Sequence, residues 1–249
     1  MKTSFKTTES RLVVLLVAVH VALAVLSMRR LSLTWDEPSY IGAGYQFLAT
    51  GDPHPKPLQL HPPLSYYLNS LLLMPLKLDT SIFEDDRYVH REYVGLPLIF
   101  DSDYSPQVLI FLARLPFVLV SALLGILLWR WSKRLYGAKS GVLTLFFYSF
   151  SPLVLAHCRL ATPDITLALT TTAALYSFHQ SLLRPSRINL ALSGILLGLA
   201  LLSKFTALLL IPIFVFVLFA NRWKDADATV RPEEGFRSLA RLTAIFFIA

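Results

Sequence analysis

The chain carries several apolar runs long enough to cross a lipid hydrocarbon core as helix, and short basic clusters separate them. Crossing a core of about 30 Å takes about 20 residues at a helical rise of about 1.5 Å each. Residues 12–28 form a first run free of charged side chains, and residues 108–128 a second, interrupted only by Arg114. Residues 141–158 and 165–183 give a third and a fourth, separated by a polar knot from His157 to Asp164 that reads as a tight turn. The stretch 188–220 would be about 50 Å long as one helix, too long for a single span. A hairpin turning near Lys204 resolves it into spans 188–203 and 205–220. The chain stops inside what reads as a seventh span opening near Leu239, so it is expected to be the N-terminal part of a longer transmembrane domain.

Composition supports a membrane class. The sequence is 55% hydrophobic and only 16% charged, with a mean hydropathy of +0.56, where soluble domains carry roughly 25% charged residues. The formal charge of +7 could suit nucleic acid, but the basic residues sit between apolar runs instead of along one face, and no nucleic-acid partner is expected. Cys158 is the only cysteine, so no intrachain disulfide can form, and a small buried thiol is expected there. The first run is long and lacks a small-residue cleavage site, so it reads as a retained span and not a signal peptide.

Orientation follows from the excess of Lys and Arg in short cytoplasmic loops. Lys2, Lys6 and Arg11 place the N-terminus inside, and Arg130, Lys133, Arg134 and Lys139 then fall inside after the second span. Arg184 and Arg187 follow the fourth span, and Arg222 and Lys224 the sixth. Arg29 and Arg30 are the exception, at the outer end of span one in an otherwise acidic loop. The reading is an all-α, multi-pass bundle, expected in the plasma (inner) membrane, with a long outer loop over residues 29–107.

A loop of that length usually carries function. Trp35-Asp36-Glu37-Pro38 has the acids and the proline that start a helix, and Tyr40, Ile41, Tyr45, Phe47 and Leu48 follow at helical spacing until Gly51-Asp52-Pro53. This predicts an amphipathic helix on the membrane surface. His61-Pro62-Pro63 leads into a second apolar stretch, 64–78, read as another interfacial helix, whereas 80–104 is acidic and aromatic without periodicity and suggests no role. Asp36, Glu37, His61, Arg159 and Asp164 all fall on the outer side.

Each of these groups has a plain alternative. Asp36 and Glu37 could serve only as helix-start acids, worth about 0.3–1 kcal/mol through the helix dipole, or one could be a general base shielded from water by Trp35 and lipid. Asp164 could cap span four. Arg159, five residues earlier, could answer its charge across the turn or hold a lipid phosphate. His61 could be an ordinary loop histidine, Arg114 could snorkel outward from its span or take part in binding, and Lys204 could be an interface anchor or a phosphate ligand. No His, Cys or carboxylate set has metal-ligand spacing, and phosphate-cradling glycine loops are absent, so neither a metal nor a nucleotide cofactor is expected.

Taken in order, these segments resemble the protein mannosyltransferase and lipid A aminoarabinose transferase superfamily, glycosyltransferase family 39 and its relatives, of GT-C fold. The resemblance rests on Trp35-Asp36-Glu37, Gly51-Asp52 and His61-Pro62-Pro63-Leu64, then on Arg159-Leu160-Ala161-Thr162-Pro163-Asp164, then on Leu202-Ser203-Lys204-Phe205-Thr206-Ala207-Leu208-Leu209 through Pro212. It covers most of residues 10–220. It implies a membrane glycosyltransferase that moves a sugar, with inversion, from a polyprenyl-phosphate donor to an acceptor hydroxyl on protein, lipid or glycan. Asp36 would be the base, Glu37 its neighbour in the acceptor site, and Asp164 a second acid. Arg159 would bind the donor phosphate, with His61 and Lys204 as further candidates. His61 departs from the lysine that aminoarabinose transferases carry before the two prolines, and an imidazole is cationic only when protonated. The competing classes are a transporter, which would place its polar groups near mid-membrane on broken helices, and a non-catalytic membrane scaffold.

Overall fold

The structure, a computed structural model, describes residues 2–51, 61–84 and 95–225, together with Ile245 and Ile248. Among the described residues the regular elements are all helices. The chain divides into two compact units, Met1–Leu169 and Thr170–Ala249.

In the first unit, α1 (Lys2–Met28) and α5 (Pro106–Tyr136) form the long apolar frame, and each is long and apolar enough to cross a membrane. α6 (Ala138–Ser149) turns back after Gly137 and packs along both. The third span expected over 141–158 is not one helix. It breaks at Phe150 and Ser151 and restarts as α7 (Pro152–His157). The reason is local: Pro152 has no N–H to continue α6, and Ser151 caps the new helix by accepting the Val154 N–H at 3.5 Å.

Among the described residues between α1 and α5 lie α2 (Glu37–Thr50), α3 (Leu64–Leu71), the 3-10 turns Met74–Leu76 and Ser81–Glu84, and α4 (Gly95–Phe100). α2 forms over the expected segment, but almost every residue from Glu37 to Gln46 is buried against the protein, so more than one face of it is packed. Two glycines explain how its neighbours come so close. A Cβ on Gly44 would strike the Tyr66 carbonyl of α3, and one on Gly95 would strike the Pro38 carbonyl at the start of α2. The Ser70 hydroxyl donates to the Ile41 carbonyl at 3.2 Å, joining α3 to α2 again. The second interfacial helix expected over 64–78 is α3 followed by the first 3-10 turn. Within 80–104, residues 85–94 lie outside the described ones.

A polar cluster sits within this apolar frame. His20 of α1 meets the Ser121 hydroxyl of α5 through Nε2 at 2.8 Å and the Ser149 carbonyl of α6 through Nδ1 at 3.3 Å. The Tyr148 hydroxyl donates to the Ser121 carbonyl at 2.8 Å and lies 2.7 Å from the Ser121 hydroxyl. With a neutral imidazole, Nδ1–H donating to the Ser149 carbonyl leaves Nε2 to accept from the Ser121 hydroxyl.

α8 (Pro163–Leu183) begins in the first unit and ends in the second. The second unit adds α9 (Arg187–Leu201), a 3-10 segment (Phe205–Leu209) and α10 (Leu210–Asp225). Phe178 and Phe214 stack with centroids 4.1 Å apart, and the Thr170 and Ser203 hydroxyls meet at 3.1 Å. The break between α9 and the 3-10 segment falls at Leu202–Lys204, where Lys204 is extended, as the length of the 188–220 run required. The segment near Leu239 lies outside the described residues.

Candidate functional site

The sequence puts two acids side by side, and the helix start treats them in opposite ways. α2 begins at Glu37 with Pro38 behind it, which fixes the chain direction at the first turn. Asp36, just outside, is exposed, and its side chain makes no capping hydrogen bond. Trp35 beside it is 77% exposed. Glu37 points inward and is fully buried.

The reason Glu37 can be buried is Arg114, about two turns into α5 and itself at 0% exposure. The guanidinium grips the carboxylate with two hydrogen bonds, Nε to Oε1 at 2.7 Å and Nη2 to Oε2 at 2.6 Å. Its remaining donors reach backbone carbonyls at and just after the end of α1: Nη1 to Leu31 at 3.0 Å and Met28 at 3.4 Å, and Nη2 to Ser32 at 2.8 Å. All five N–H groups of the arginine thus have acceptors. Glu37 is equally occupied. Oε2 also accepts from the Thr34 amide at 2.9 Å and hydroxyl at 3.0 Å, and Oε1 from the Ala161 amide at 2.9 Å. Burial pushes the Glu37 carboxyl upward, but Arg114 and the Ala161 and Thr34 amides outweigh it and hold the group below its ordinary value.

Two readings of the sequence change here. Arg114 does not snorkel outward; a buried guanidinium finds a better partner in a carboxylate than in a distant interface. Glu37, expected in the acceptor site, has both carboxylate oxygens taken up by Arg114, Thr34 and Ala161. Its bond to Ala161 ties the start of α2 to the turn between α7 and α8, which carries Arg159 and leads into Asp164 in the first turn of α8.

Asp164 opens α8, partly exposed, and receives the Thr162 hydroxyl at 3.3 Å. Across the turn the His157 Nδ1 lies 3.6 Å from its Oδ2, an ion pair when the imidazole is protonated. Arg159 is half-buried, and its Nε is a buried donor with no hydrogen-bond partner among the described residues. His61 precedes α3, donates its backbone N–H to the Tyr66 hydroxyl at 3.3 Å and lies nearly parallel to the Tyr40 ring at 6.2 Å. His61 therefore stands on the α2–α3 side of the corner. Lys204 belongs to the second unit. Among the described residues no group of three or more His, Cys, Asp or Glu side chains is placed to hold a metal ion.

Comparison with known proteins now has a fold and a site to meet. Residues 107–230 match the family described as dolichyl-phosphate-mannose-protein mannosyltransferase. This match, over just under half of the chain, supports a protein-mannosyltransferase-like chain of GT-C type. The matched stretch includes Arg114, Arg159, Asp164 and Lys204, whereas Asp36, Glu37 and His61 precede it. Among solved structures this PMT-like chain is similar to the S. cerevisiae protein O-mannosyltransferase Pmt1-Pmt2 complex bound to the sugar donor, with a TM-score of 0.66 and 19% identity. The similarity covers 97% of this chain but 32% of that one, so the chain spans about a third of its solved neighbour. At that identity the likeness establishes the fold. No curated protein matches the chain.

His157 and Arg114 are the two site residues that sequence reading undervalued. A signal for Arg114 was present: an arginine inside an apolar span needs a buried acid, and Glu37 lies at the same end of the frame. His157 carried none beyond its place in the polar knot.

Proposed function

We propose that the PMT-like chain is the base-bearing part of a membrane glycosyltransferase, mannosyltransferase-like in kind, that uses a polyprenyl-phosphate sugar as donor. The observation that carries the proposal is the division of labour between Asp36 and Glu37. One carboxylate is exposed and free of capping duty, and its neighbour is locked into a buried bracket that fixes where the first one stands.

In the proposed reaction an acceptor hydroxyl attacks the anomeric carbon of the sugar from the face opposite the phosphate. The new C–O bond forms as the bond to the phosphate oxygen breaks, which inverts the centre, and Asp36 takes the hydroxyl proton. The lipid phosphate leaves with the bonding electron pair, and its charge is met by Arg159, whose buried Nε has a donor to give. Asp164, in the first turn of α8 and 3.6 Å from His157, is the second acid. His61 and Lys204 remain candidate phosphate ligands. The step as written uses the leaving phosphate for its driving force and draws on no metal or nucleotide. The site is proposed to face outward from the plasma membrane, following the basic loops of the sequence. The acceptor is a hydroxyl on protein, lipid or glycan.

The test is sugar transfer from a panel of labelled polyprenyl-phosphate sugars by membranes carrying the protein, wild type against Asp36→Asn. Loss of transfer by about 10²–10⁴-fold with unchanged expression supports the base. Full activity in Asp36→Asn removes it. Absence of turnover with every donor would return the chain to the transporter or scaffold classes.

A further inference from the structure

A cavity of about 330 Å³ opens at the end of the frame where α1 stops and α5 starts, lined by Met28, Arg29, Leu31, Val108, Phe111 and their neighbours. Its wall on the α5 side is the apolar surface of a helix long enough to cross a membrane, with Val108 48% exposed. At its mouth Arg29 lies with its guanidinium 5.6 Å from the centre of the Phe111 ring. Neither Arg29 nor Arg30, both exposed, meets a carboxylate among the described residues. These are the two arginines that break the pattern of basic loops, so orienting the chain does not account for them.

We infer that this groove is a binding site for an anionic phospholipid, with its phosphate on Arg29 and an acyl chain along the α5 wall. An apolar wall ending at an uncompensated cation has the polarity of such an amphiphile, and a lipid without net charge would leave the arginine unanswered. The occupant would also reach the catalytic corner. Met28 and Leu31 line the cavity, and their carbonyls are two of the acceptors that hold Arg114. A lipid seated there steadies the backbone from which the Glu37 bracket hangs. This site is separate from the donor-phosphate residues of the proposed reaction and stands whether or not that reaction is right.

The experiment measures lipid retained by the intact purified protein, by native mass spectrometry, after exchange into mixed phosphatidylglycerol and phosphatidylcholine. Wild type is expected to keep phosphatidylglycerol over phosphatidylcholine by about 5-fold, the factor one interfacial basic residue contributes. Arg29→Gln is expected to lose that preference. Val108→Trp, which fills the groove from an exposed position, is expected to lower retention of both lipids. Added phosphatidylglycerol should raise the Tm of wild type and leave that of Arg29→Gln unmoved, and inorganic phosphate should do neither. Equal retention of the two lipids by wild type, a preference that survives Arg29→Gln, or undiminished retention in Val108→Trp each overturns the site.

Discussion

Two buried polar clusters join the same long helices, and they solve different problems. The His20, Ser121, Tyr148 and Ser149 cluster links α1, α5 and α6 within the apolar frame using an imidazole, hydroxyls and a carbonyl. The Glu37–Arg114 bracket stands two turns of α5 away, at the helix ends, and uses full charges. Deep in hydrocarbon an ion pair pays a heavy desolvation cost, so neutral hydrogen bonds serve there. At the loop end the pair is surrounded by backbone groups that need partners, and the charges also organise Met28, Leu31, Ser32, Thr34 and Ala161. A neutral cluster fixes helix against helix, whereas an ionic one fixes irregular backbone, and irregular backbone is where a site must be built.

That contrast can be broken most forcefully at Arg114. Arg114→Met is expected to destabilise the protein by about 3–5 kcal/mol, since it strands a buried carboxylate. Adding Glu37→Leu should recover only part of the loss, because the carbonyls of Met28, Leu31 and Ser32 still lack their donors. Thermal unfolding in detergent reads both, and full recovery in the double variant would mean that the bracket holds only itself.

Acid is the gentler version of the same test. The folded-state pKa of Glu37 lies below its ordinary 4.5, so its contribution is complete above that value and is lost as pH falls through the depressed one. Tm should therefore decline below pH 4.5 more steeply in wild type than in Glu37→Gln. Parallel curves would mean that the carboxylate is not charged in the fold.

The neutral cluster should yield less. Ser121→Ala leaves the His20 ring nitrogen facing nothing and is expected to cost about 1–3 kcal/mol, with little change in any transfer activity. A large loss of activity at unchanged stability would show that the two clusters communicate. Smallest of all is Lys133→Ala at the far end of the frame. Its partner Glu9 lies 2.7 Å away and is only 7% exposed while the lysine is 40% exposed, so water screens the pair from one side and a cost of about 1 kcal/mol is expected from unfolding.

Much of the architecture was legible from hydropathy alone. Runs of span length separated by basic clusters carry the helical class, the long loop between α1 and α5 and the turn at Lys204, because backbone in hydrocarbon has few other ways to satisfy its hydrogen bonds. The break in the third run was signalled by Ser151-Pro152 and was overlooked in favour of its apolar length. The helix over Glu37–Thr50 was legible as a helix but not as a buried one. Spacing shows which residues share a face, and only packing shows what lies against it.

The sequence by itself determined the membrane class, the helix starts and the short set of polar residues from which a site could be made. The tertiary structure decided what each of them does. Asp36 and Glu37 are identical in kind and adjacent in sequence. They part only because an arginine 77 positions from Glu37 and an amide 124 positions from it converge on one carboxylate and leave the other exposed. Such long-range contacts depend on how helices pack, which no local pattern encodes.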